Sequence, residues 1–138
     1  MFRSAYEFTV AAGHHVIDSH RHTFRIRIDC AGDLGTTGGD RGMVVDYRDL
    51  RVVERSVLRP AMQNRMFVAD DEAAAAEPRG LQLTLVPFRP TVEHLAKYLY
   101  DLTLTGLGTS MGCAVERVTV WENSNCSASY EPAHPRVG

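Results

Sequence analysis

His20-Arg21-His22-Thr23-Phe24-Arg25-Ile26-Arg27-Ile28-Asp29-Cys30 is the most regular stretch of the chain. Phe24, Ile26 and Ile28 share one parity, and Arg25, Arg27 and Asp29 share the other. That period of two belongs to a half-buried antiparallel strand. Upstream, Phe2, Tyr6, Phe8 and Val10 alternate in the same way and predict a second strand from Phe2 to Val10. Between Ala31 and Gly42 there are five glycines, which mark a loop.

Downstream the period changes. Asp46 can cap a helix with Asp49 in its first turn, and Leu50, Val53, Val57 and Leu58 follow at helical spacing. Pro60 should end it. Residues 69–80 carry four consecutive alanines beside acids, Pro78 and Gly80, and read as a mobile insertion. Leu81 to Val86 is a short-strand candidate. Thr91 then caps a second helix with the stripe Leu95, Tyr98, Leu99 and Leu102, closed by Gly106 and Gly108. Val115 to Glu122 and Cys126 to Glu131 are the last strands. The order ββααββ predicts an α+β domain: a four-stranded antiparallel sheet with two helices on one face. The other face should expose apolar surface, so a second subunit is the expected cover.

With 138 residues the chain is one domain, residues 1–138, and its 44% apolar content suits a globular core. No apolar run approaches the roughly 20 residues of a membrane span, and no signal segment is recognisable, so a cytoplasmic protein is expected. The 15 basic and 17 acidic residues leave a net charge of −2, which argues against a nucleic-acid partner. Cys30, Cys113 and Cys126 are scattered, which speaks against a disulfide framework and a cysteine-rich metal site.

Four of the six histidines, His14, His15, His20 and His22, fall within nine positions. His20 and His22 share the parity of Phe24, so both face the interior, and His14 ends the first strand across a short connection. Three imidazoles converging there can bind Zn²⁺ and leave a fourth position for water or substrate. The alternative is that one or two of these rings merely hydrogen-bond in a turn. His15 points away from His14 if the strand is regular, while His94 and His134 read as surface residues. Glu122 shares the parity of Val118 and Val120, which favours an interior position over a solvated strand end.

Five blocks carry a family resemblance. Phe8-Thr9-Val10-Ala11-Ala12-Gly13-His14 resembles the F-x-F-x-A-A-H opening of the 6-pyruvoyl and 6-carboxytetrahydropterin synthase family. His20-Arg21-His22-Thr23-Phe24 resembles its H-G-H-N-Y motif, and Gly42-Met43-Val44-Val45-Asp46-Tyr47-Arg48-Asp49-Leu50 its G-M-V-x-D-F-x-D-L. Pro90-Thr91-Val92-Glu93-His94-Leu95-Ala96 is similar to P-T-x-E-N-x-A, and Trp121-Glu122 with Tyr130 to the closing E-T…Y block. The resemblance implies the tunnelling fold, a trimer closing a barrel and two trimers stacking into a homohexamer. It also implies a small-molecule substrate and zinc held by His14, His20 and His22. Glu122 would anchor a pterin ring through its N–H edge, with Thr91 and Glu93 near the same pocket, although Thr91 also reads as a plain helix cap.

The departures concern proton transfer. The family's catalytic cysteine stands four residues before the first histidine of H-x-H, where this chain has Val16. The family's L-D-H becomes Leu58-Arg59-Pro60, removing a carboxylate and an imidazole. Asp18 and His15 are the nearby replacements for the catalytic acid–base role. Three functions follow: a zinc lyase or cyclase with altered acid–base residues on a pterin-like or carbonyl substrate, a binding module without turnover, and an orthodox synthase acting on dihydroneopterin triphosphate. The first accommodates both the retained histidines and the lost relay.

Overall fold

Two long strands organise the molecule. β1 (Phe2–Val16) and β2 (Asp18–Gly32) are each 15 residues long. They pair antiparallel throughout, from Phe2 opposite Gly32 to Val16 opposite Asp18. The chain reverses at Ile17, which takes a φ of 70° and is 78% exposed. A β-branched residue pays strain for that left-handed conformation. The computed structural model describes residues 1–112 and 114–133, so Cys113 and His134 lie outside the described residues.

Asp46 caps α1 (Tyr47–Val53), its carboxylate accepting from the Arg48 amide. Pro60 does not end the helix as expected. Residues Glu54–Leu58 widen into a π turn, and α2 (Arg59–Met62) continues with Pro60 in its first positions. The wider turn displaces the carbonyl that the proline ring would otherwise crowd.

The sheet has six strands, in the order β4-β3-β1-β2-β5-β6, and it is mixed. This corrects the expected four-stranded antiparallel sheet. β3 (Arg65–Ala69) runs parallel to β1 at Gly13 and His14, and β4 (Gln82–Val86) runs parallel to β3. β3 escapes a period-two reading because Met66, Phe67 and Val68 are all fully buried, on both faces. A strand covered on both sides is a continuous apolar run. α3 (Val92–Gly112) follows, broken at Gly108 by a φ of 79°. β5 (Val115–Trp121) pairs antiparallel with β2, and β6 (Ser127–Tyr130) antiparallel with β5, completing the sheet.

The main core lies between the helices and the inner sheet face, where Phe8, Val10, Phe24, Ile26, Ile28, Val118 and Val120 meet Leu50, Leu58, Leu95 and Leu99. The opposite face is not apolar, which removes the stated reason for a covering subunit. It carries a charged ladder instead: Arg27 reaches Glu7 at 3.6 Å and Asp29 at 3.0 Å, and the Arg25 guanidinium lies 4.0 Å over Trp121. Toward the hairpin tip, residues expected to be a mobile insertion cover this face. Asp70–Ala75 form a 3₁₀ helix, and Ala76 packs on a second small core of Met66, Val68 and Leu81. No described helix is long and apolar enough to cross a membrane.

Candidate functional site

His14 ends the inner row of β1 and is buried, 3% exposed. Its Nδ1 lies 2.8 Å from the carbonyl oxygen of Pro90, just before α3. A carbonyl only accepts, so an Nδ1–H donates to it, and this bond orients the ring with Nε2 toward the interior. Across the hairpin, His22 stands edge-on to His14 with ring centres 5.1 Å apart. Phe24 closes the apolar side, 5.5 Å from the His14 ring and 5.3 Å from the His22 ring.

Glu122 follows β5 directly, and its backbone N–H donates to the Cys126 carbonyl at 2.9 Å, which fixes the turn into β6. Its Oε1 lies 2.9 Å from His14 Nε2 and 3.1 Å from His22 Nε2. The ligand atoms of His14, His22 and Glu122 all lie within 4.8 Å of one another, the geometry of a metal-binding group. Burial lowers the His22 pKa, helped by the neighbouring His14 and His20 and opposed by Glu122, so the ring favours its neutral, lone-pair-bearing form.

His20 sits opposite His14 in the hairpin register and so shares its face. It is exposed, its ring centre is 6.0 Å from that of His22, and it stands outside the convergent group. Asp18 shares the parity of His20 and His22 at the exposed tip. His15 is on the reverse face, as its parity predicts, and is buried. Its Nδ1 meets the Ser19 hydroxyl at 2.8 Å, the same oxygen accepts from the Glu77 amide at 2.8 Å, and His15 Nε2 is 3.6 Å from Glu72. Arg21 adds a bond to the Arg79 carbonyl at 3.0 Å, so residues 77–79 strap the back of the tip. His15 is therefore held away from the convergent group.

Thr91 caps α3, its hydroxyl accepting from the His94 amide at 3.3 Å. Glu93 is exposed in the first turn, and His94 is exposed with Nδ1 2.7 Å from the Arg89 carbonyl. At the departed relay, Arg59 donates to Glu54 at 2.9 Å, and Glu54 also accepts from the Tyr6 hydroxyl. Sequence reading missed the Pro90 carbonyl, Ser19, Glu72 and this ion pair. Main-chain acceptors leave no mark in residue identity. A Glu54–Arg59 pairing five residues apart requires the π turn to be known first.

The family model described as 6-pyruvoyl tetrahydropterin synthase matches residues 3–133. A Haemophilus influenzae 6-carboxy-5,6,7,8-tetrahydropterin synthase is 23% identical over 145 residues, covering 95% of this chain and 99% of that protein. The Caenorhabditis elegans 6-pyruvoyl tetrahydropterin synthase superposes with a TM-score of 0.71 at 14% identity, over 96% of both chains. A Plasmodium vivax 6-pyruvoyltetrahydropterin synthase, whose replaced glutamate is described as a catalytic residue, superposes with a TM-score of 0.69 at 13% identity, over 96% of this chain and 99% of that one.

Proposed function

Because the chain belongs to the 6-pyruvoyl tetrahydropterin synthase family, we propose that it is a zinc-dependent lyase or cyclase acting on a small pterin-like or carbonyl-containing substrate, with non-standard acid–base residues. The observation that carries this reading is the convergence of His14 Nε2, His22 Nε2 and Glu122 Oε1, with His14 buried and the other two half-buried. The donor set fits the metal. The Pro90 carbonyl orients the His14 ring through Nδ1, the backing that a metal-bound imidazole uses, and His22 Nε2 is buried without a hydrogen-bond partner. His14 and His22 would hold the zinc together with His20, which shares their face with its ring centre 6.0 Å from that of His22, and Glu122 Oε1 lies 2.9 Å and 3.1 Å from the two inner Nε2 atoms.

Zinc bound there supplies a Lewis acid for a substrate oxygen. The remaining work falls to the chain. Phe24 and the buried His14 exclude water from one side, and Thr91 and Glu93, at the head of α3 beside the Pro90 carbonyl that holds His14, would serve as substrate contacts. Proton transfer is assigned to Asp18, which shares the face of the histidines. His15 braces the tip through Ser19. The Plasmodium vivax relative, in which a glutamate is described as catalytic, supports a carboxylate in this role. Val16 cannot carry a proton, and Arg59 stays charged near neutrality.

The test is metal analysis joined to turnover. Purified protein should contain close to one zinc per chain, and His22→Ala should remove most of it. Dihydroneopterin triphosphate should be turned over at least about a hundredfold more slowly than by a relative with the intact relay, within the cost of a lost acid–base group. The residual rate should fall further in Asp18→Asn. A metal-free native protein, or binding without any turnover of reduced pterins, would overturn the reading.

A further inference from the structure

We propose that the 70–79 segment is a positioning strap for the hairpin that carries His14 and His22, with Ser19 and Glu72 as its positioning residues. This rests on the metal reading above and adds the part of the chain that keeps the site in shape.

The need for support follows from the topology. β3 pairs with β1 only at Gly13 and His14, and β2 pairs with β5 only from Arg25 onward. Between His15 and Phe24 the hairpin is therefore a two-stranded ribbon among the described residues, and His22 lies within it. A ribbon of two strands is marginal in water by itself. Its turn adds strain, because Ile17 is β-branched and takes a φ of 70°. A metal ligand on such a ribbon needs outside support to hold its nitrogen in place.

That support comes from the reverse face. β3 runs parallel to β1 and so delivers Asp70–Ala75 at the level of the tip. Ser19 is buried, and its hydroxyl accepts from the Glu77 amide at 2.8 Å while meeting His15 Nδ1 at 2.8 Å. One oxygen thus joins β1, β2 and the strap. The Glu72 carboxylate reaches further, with one oxygen 3.6 Å from His15 Nε2 and the other 3.9 Å from Arg89 Nε. His15 follows His14 in the chain, and Arg89 precedes Pro90, whose carbonyl holds the His14 ring. Glu72 therefore ties together the two backbone segments that position His14. Arg21 bonding to the Arg79 carbonyl and Ala76 packing on the small core fasten the rest. These side chains lie behind the site and act on it through the backbone they hold.

The experiment uses the full chain as wild type, Ser19→Ala and Glu72→Gln, with Glu54→Gln as a control that lowers stability away from the tip. The readouts are amide hydrogen exchange over residues 14–22 in metal-free protein, and Co²⁺ affinity against a competing chelator with the visible Co²⁺ spectrum. Ser19→Ala should speed tip exchange by about tenfold through local opening. It should also weaken Co²⁺ binding by about tenfold, the low end of the loss on removing outer partners of a metal, and alter the spectrum. The Glu72 side chain is 33% exposed, so Glu72→Gln leaves the core intact. Solvent screening limits its effect on both readouts to about threefold in the same direction. Should Ser19→Ala fail to fold, Glu72→Gln decides alone. Glu54→Gln should lower the urea midpoint and leave both readouts at wild-type values. Faster tip exchange with unchanged Co²⁺ affinity, no change in either readout, or an equal loss in Glu54→Gln would overturn the strap's role and leave the zinc enzyme standing. Wild type that binds neither Co²⁺ nor Zn²⁺ would overturn the strap's role and the metal reading together.

Discussion

Gly13 is the position where a single methyl group tests the architecture of the site. It lies between Ala12 and His14, opposite Arg21, with Met66 of β3 beside it. A Cβ placed there would stand 2.5 Å from the His20 carbonyl oxygen, 2.6 Å from Met66 Cε and 3.0 Å from Met66 Sδ. The methionine tip can swing aside, but the carbonyl belongs to β2 and can move only if the hairpin opens. Relief requires close to an ångström of strand separation beside His14 and His20. Overpacking of this kind costs about 1–3 kcal/mol, and alanine recovers about 0.4–1 kcal/mol through a less flexible unfolded chain. Gly13→Ala should therefore destabilise by about 1–2 kcal/mol, seen as a lower urea midpoint at constant m, and should weaken metal binding. Adding Met66→Ala should leave that metal defect in place, because the carbonyl contact remains. A Gly13→Ala protein as stable as wild type with unchanged metal affinity would refute the reasoning.

Glu54→Gln should cost about 1.5–3 kcal/mol by weakening charged hydrogen bonds from Arg59 and Tyr6. Burial pushes the Glu54 carboxyl up, but Tyr6 and Arg59 outweigh it and hold it below its ordinary value. Its stabilisation is thus present above the ordinary carboxylate range and lost as pH falls through the folded-state value. The gap to the variant should narrow between about pH 7 and about pH 3, and a constant gap in chemical denaturation would contradict this. Burial, with Asp29 and Glu116, pushes the Cys30 thiol up to about 12. Iodoacetamide should therefore label exposed Cys126 first, as peptide mapping would reveal, and equal labelling of the two would refute the packing around Cys30. In assembly, β1 pairs with β3 only at Gly13 and His14, leaving the Phe2–Val10 edge without a second strand among the described residues. Such an edge invites pairing between subunits. Light scattering should report a multiple of three chains, and a monomer at micromolar concentration would exclude the trimer-based assembly.

The parts legible in the sequence were those with a strict period or a local cap. Alternation at Phe24, Ile26 and Ile28 placed β2, Asp46 and Thr91 marked both helix starts, and the parity of Glu122 put its carboxylate inside. The break at Gly108, where φ is 79°, was readable from glycine, but the helix passes through Gly106 and continues to Gly112 instead of closing there. What stayed hidden depended on distant partners. β3 is apolar on both faces and so has no period, and the 69–80 segment takes its order from distant partners: His15, Ser19 and Arg21 on the hairpin and the small core under Ala76. The polar sheet face was written in Glu7, Arg25, Arg27 and Asp29. It was misread because an open face was assumed to be apolar. His20 faces the same way as His14, yet parity fixes direction and not reach.

The convergent group also dates the assembly of the fold. His14 and His22 belong to a single hairpin, a local contact that a chain can close early, while the His14–Glu122 contact spans 108 positions. Closing so long a loop must wait on the non-local pairing of β5 with β2, which is slow relative to hairpin formation. A nascent chain that has released only β1 and β2 would bring the two imidazoles together without the carboxylate. The complete group would form only with the last third of the chain, making its closure a timer of complete folding.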